Sequence, residues 1–121
     1  MRLFAVRGAT SVERNDADSI LGATEELLRE LQERNALRAE DIVSAIFTAT
    51  GDLDAEFPAV AARRLGFEQV SLLCARELEV PGAMPRVIRV LIHHYASEDH
   101  SPKHVYLGEA RALRSDLDSA Q

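Results

Sequence analysis

The stretch PRVIRVLIHHY, residues 85–95, limits the possible folds more than any other part of the chain. β-branched and leucine side chains dominate it, and their alternation is that of a strand. Val87, Arg89 and Leu91 fall on one face, with Ile88, Val90 and Ile92 on the other. A strand apolar on both faces belongs in the interior of a sheet, covered on each side. Arg89 stands in the middle of it. Desolvating a guanidinium costs on the order of several kcal/mol unless an anion meets it. The chain or its ligand must therefore bring a negative group to Arg89.

The rest of the chain supplies a sheet around that strand. RLFAVRGAT reads as a short strand ending at a glycine, and NDADSILGATEELLRELQERN as the clearest helix. Ile20, Leu21, Leu27, Leu28 and Leu31 form its apolar stripe, Asp16 and Asp18 lie near its positive end, and Asn35 stops it. A second strand spans residues 42–49 and closes at the Gly51-Asp52 turn signal. FPAVAARRLG is a short helix with Pro58 in the first turn and Gly66 at the C-terminal cap. QVSLLCA is the third strand, ELEVPGAMP a loop, and KHVYLGEARAL a fifth strand starting near Lys103. The polar end, residues 115–121, reads as a mobile tail of a single domain covering residues 1–121.

This order predicts an α/β (α+β-like) domain, a mixed five-stranded sheet with helices packed on one face. A sheet so small leaves its other face apolar and uncovered, and oligomerisation is the usual remedy. The net charge of −6, with no basic run to offset it, argues against a nucleic-acid surface. No apolar run reaches membrane-spanning length, and LFAV is too short for a signal-peptide core. A single cysteine, Cys74, fits a reducing compartment, so a cytoplasmic setting is expected.

Local motifs exclude more chemistry than they suggest. RGAT at 7–10 lacks the glycines and lysine of a phosphate loop; it reads as a strand end and turn, with Gly8 giving backbone freedom. Cys74 has no histidine near it in sequence and reads as core or pocket lining. Glu77 and Glu79 fit either paired acid–base carboxylates or a solvated loop. His93 and His94 are neighbours on a strand and point to opposite faces, and His100 and His104 complete no zinc spacing, so no metal is expected. There is no dinucleotide fingerprint, Walker motif or GxSxG.

What remains is a set of cations: Arg7, Arg63, Arg89 and Arg114, with Tyr106 and Glu77 adding a hydroxyl and a carboxylate. Thirteen of the fourteen basic residues are arginine, so position matters more than presence. In a mixed sheet, Arg7, Arg89 and Tyr106 could converge on one pocket suited to a small dianion. Separate surface salt bridges fit the same residues equally well.

VRGATSVERND, ATGDLDAEFPA, CARELEVPGAMPRVIRVLI and HVYLGEARALRSDL together resemble the monofunctional chorismate mutases of the AroH class, in order from about residue 2 to residue 117. The resemblance implies a homotrimer of small α/β subunits forming a pseudo-barrel, with each chorismate site between two neighbours. It implies the rearrangement of chorismate to prephenate, for phenylalanine and tyrosine biosynthesis, with no cofactor and no covalent intermediate. Arg7 matches the arginine that binds a substrate carboxylate, Arg89 the one at the ether oxygen, and Tyr106 the tyrosine near the enolpyruvyl group. Cys74 and Glu77 match residues beside the ring hydroxyl. Phe57 and Arg63 match residues given by the neighbouring subunit, and Arg114 the tail arginine at the mouth. Val60 stands where the family often has a lysine, which alters one entrance charge. The alternatives are an imine or enamine deaminase, since trimeric proteins of that type resemble this architecture, and a trimeric module that senses a carboxylate metabolite without turning it over.

Overall fold

A computed structural model describes residues 1–113. Five strands, β1 (Arg2–Ser11), β2 (Ile42–Ala49), β3 (Ser71–Arg76), β4 (Val87–Ala96) and β5 (Val105–Leu107), form one sheet in the order β3-β2-β4-β1-β5. The strand apolar on both faces is β4, and it is central. It runs antiparallel to β1 and β2, while the β2–β3 and β1–β5 pairs are parallel.

Helix α1 (Ala17–Asn35) begins where Asp16 accepts the Ser19 N–H at 2.7 Å. It ends at Ala36, which takes a left-handed conformation at φ 50°. Helix α2 (Ala59–Arg64) follows Pro58, and Gly66 reverses the chain at φ 93°. Both helices cover the same face of the sheet. Leu27, Leu28 and Leu31 of α1 and Ala59 and Ala62 of α2 pack with Val6, Phe47, Val90, Ile92 and Val105 from the strands. Each large side chain buried there contributes about 1.5–3 kcal/mol. A one-residue slip of β4 would put Arg89 and His93 into this core, so burial alone pins its register.

The other face of β4 departs from the expected cover. Arg89 keeps 41% of its side-chain surface, and Leu3, Leu73 and Tyr95 are exposed on the same side. In one copy of the chain this face lies open, and neither α1 nor α2 reaches it.

Two further expectations need correction. β1 does not stop at its glycine but continues to Ser11, with Gly8 paired to Val90 and Val105. Gly8 serves close approach: a Cβ there would lie 2.9 Å from Leu31 Cδ1 and 3.0 Å from Leu27 Cδ1. The fifth strand is also shorter than its sequence suggests. The buried Asn35 amide takes both backbone groups of Lys103, at 2.7 and 2.9 Å, so pairing begins only at Val105. Gly108, at φ 60°, then turns the chain into a 3-10 segment over Gly108–Ala112.

Candidate active site

The register aligns the chemistry on the open face. Thr48 of β2 pairs with Arg89 of β4, Arg89 with Ala9 of β1, and Ala9 with Tyr106 of β5. In the next row Ile46 pairs with Leu91, and Leu91 with Arg7. Partners across a ladder point to the same side. These residues line a depression of about 270 Å³ with Arg7, Arg89 and Tyr106 around its apolar floor. The pocket that the sequence left as one of two alternatives therefore exists within a single chain.

Glu77 provides the anion that Arg89 requires. It follows β3 directly, its N–H bonded to the Ala49 carbonyl at 3.0 Å, which extends the strand by one residue. Its side chain is 12% exposed, and its carboxylate accepts from Arg89 Nε at 2.9 Å. The bond uses Nε rather than a terminal amino group of the guanidinium. Two guanidiniums and one carboxylate leave the pocket with surplus positive charge, so a small anion carrying carboxylates fits its electrostatics.

Cys74 is placed elsewhere. Its register partner is Phe47, a core residue, so its thiol lies on the helix side of β3, against the core. There it borders a second depression of about 360 Å³ with Leu53, Phe57, Pro58 and Arg76. Within one chain Cys74 does not join Arg89, whereas Glu77 does. Phe57 is 68% exposed at that second depression, and Arg63 is exposed on the last turn of α2. Val60 is half-buried on the same helix. Arg114 lies outside the described residues.

The histidines separate as strand alternation requires. His93 is on the open face, its Nδ1 3.1 Å from Ser44 Oγ, while His94 is fully buried on the helix side. Burial first, and the neighbouring His100 second, push the His94 pKa below its ordinary value. Thr48 was missed by sequence reasoning. Only the pairing of β2 with β4 brings its hydroxyl to Glu77, and no local pattern encodes that pairing.

No helix among the described residues is long and apolar enough to cross a membrane. The family profile described as chorismate mutase type I matches residues 3–117. The chain is 48% identical over 118 residues to chorismate mutase AroH of Thermus thermophilus, covering 96% of this chain and 97% of that protein. It is 39% identical over 119 residues to chorismate mutase AroH of Bacillus subtilis, covering 97% and 94% respectively. A solved chorismate mutase from Clostridium thermocellum superposes with a TM-score of 0.88 at 48% identity, covering 91% of this chain and 99% of that one. With a family match over nearly its whole length and a shared fold, the chain belongs to the type I chorismate mutases, isomerases that convert chorismate to prephenate.

Proposed function

We propose that the rearrangement takes place over the open sheet face, at a site completed by a second copy of the chain. The observation that carries this reading is the Arg7, Arg89 and Tyr106 pocket, open along one side and bordered by exposed apolar residues. A homotrimer in the cytoplasm is the setting that fits it. The partner would bring Phe57 and Arg63 and, because it shares the depression with Phe57, Cys74. Arg114 would close the mouth.

In the [3,3] shift the ether C–O bond breaks ahead of C–C bond formation. Negative charge gathers on the ether and enolpyruvyl side and positive charge on the ring. The terminal amino groups of Arg89 would meet the ether oxygen, where charge exists mainly in the transition state, and so lower the barrier rather than merely tighten binding. Arg7 and Tyr106 would hold a carboxylate of the substrate in its compact reactive form. Glu77 would accept from the ring hydroxyl and favour positive charge on the ring. Every bond made or broken lies within the substrate, so the protein's part is position and charge.

Mixed assembly tests the shared site. Arg89→Ala removes one side of each site, and the double variant Phe57→Asp, Arg63→Glu removes the other. Co-refolding equal amounts of the two inactive proteins should restore roughly a quarter of the wild-type loss of chorismate absorbance, the fraction of junctions in a random cyclic trimer with both sides intact. Activity that stays at the parental level, in mixed oligomers shown to have formed, would refute the division of residues between chains.

A further inference from the structure

We propose that Thr48 is a positioning residue for the rearrangement, acting through Glu77 to keep the Arg89 guanidinium free for substrate. The inference rests on the assignment of Arg89 and Glu77 to the site. Three strands converge here. Thr48 on β2 faces Arg89 on β4, and Glu77 extends β3 beside them. The Thr48 hydroxyl donates to Glu77 Oε2 at 2.7 Å, and Arg89 Nε donates to the same oxygen at 2.9 Å.

Both bonds landing on one oxygen has a consequence for each partner. A carboxylate left alone with an arginine turns until both of its oxygens face the guanidinium in a two-point fork. That fork would consume a terminal amino group of Arg89 and draw its charge out of the pocket. By fixing the rotation of the Glu77 carboxylate, the Thr48 hydroxyl holds the contact to a single point. Oε1 then remains for a hydroxyl of the substrate, and the terminal amino groups of Arg89 remain for its oxygens. Thr48 also borders the pocket itself, so the brace stands next to the reacting atoms. Its contribution is orientation of a charge that is present with or without it, which makes turnover the sensitive quantity.

Thr48→Val keeps the shape and removes the hydroxyl, while Thr48→Ser keeps the hydroxyl and removes the methyl. Hydrogen bonds to charged groups are strong enough that Thr48→Val should lower kcat about tenfold with KM within about twofold of wild type. Thr48→Ser should restore kcat to within about twofold of wild type, an order opposite to that expected if Thr48 only filled space. In a Glu77→Ala background the further loss from Thr48→Val should fall below about twofold, since the two act as one unit. If Thr48→Val does not fold, Thr48→Ala takes its place in the same cycle. Near-normal kcat without the hydroxyl, while Arg89→Ala is inactive, would overturn the inference and leave the site assignment standing. An undiminished loss in the Glu77→Ala background would also overturn it. Full turnover in Arg89→Ala would overturn the site assignment and the role of Thr48 with it.

Discussion

His104 accepts the backbone N–H of Arg7 through its ring Nδ1 at 3.0 Å. This bond needs an unprotonated Nδ1, so the neutral ring carries its proton on Nε2. Partial desolvation first, and the charge of Arg7 second, hold its pKa below the ordinary value of 6.5. The lead-in to β5 thereby anchors the strand that carries a site arginine.

Acidification should loosen that anchor. The folded pKa is depressed, so the contribution of His104 is complete above its unfolded value and is lost as pH falls through the folded one. kcat/KM for chorismate should decline on this acid limb. His104→Asn, with an acceptor that does not titrate, should flatten the decline. An unchanged acid limb in His104→Asn would assign it to another group.

His94 predicts an acid effect of the same sign on stability. It is fully buried, its ring nitrogens have no hydrogen-bond partner among the described residues, and it sits between Phe4 and His100. The unfolded chain takes up its proton more readily than the folded one, so stability falls from about pH 7 downward. His94→Leu should reduce the dependence of Tm on pH across this range. Equal pH dependence in the two proteins would count against His94 as the source.

Arg89→Ala should lower kcat by about 10²–10³, the usual cost of one fixed donor at a developing negative charge. Arg89→Lys should recover little, because an ammonium cannot bond Glu77 and still present two further amino groups to substrate. Continuous assays of chorismate absorbance, with circular dichroism to verify folding, give the comparison. Near-normal turnover in Arg89→Lys would remove Arg89 from the ether oxygen.

Asn35→Ala should destabilise the fold by about 2–3 kcal/mol, since it strands both backbone groups of Lys103 together. Chemical denaturation measures this directly. A loss below about 0.5 kcal/mol would mean that water replaces the amide without cost.

Periodic features were legible in the sequence. The alternation around Arg89 made β4 an interior strand, the leucine stripe gave α1, and Pro58 and Gly66 bracketed α2. What the sequence obscured depends on contacts between distant segments. Gly8 looked like a turn because the approach of Leu27 and Leu31 has no local signature. β5 looked longer because Asn35, on another element, takes the backbone of Lys103. For the site, Arg7, Arg89 and Tyr106 share a pocket because alternate residues of neighbouring strands share a face. Cys74 and Glu77 looked like companions in CARE, yet an odd separation sends them to opposite sides of the sheet's edge.

The placement of β1 between β4 and β5 bears on how the protein is made. Of the five strands, Arg7 lies on the first to be synthesised and Tyr106 on the last. During synthesis β1 must wait, its edges unsatisfied, until β4 has emerged to pair with one side and β5 with the other. Catalytic competence is thus among the last properties the nascent chain acquires, and a chain terminated before β5 would lack Tyr106 and carry an incomplete pocket.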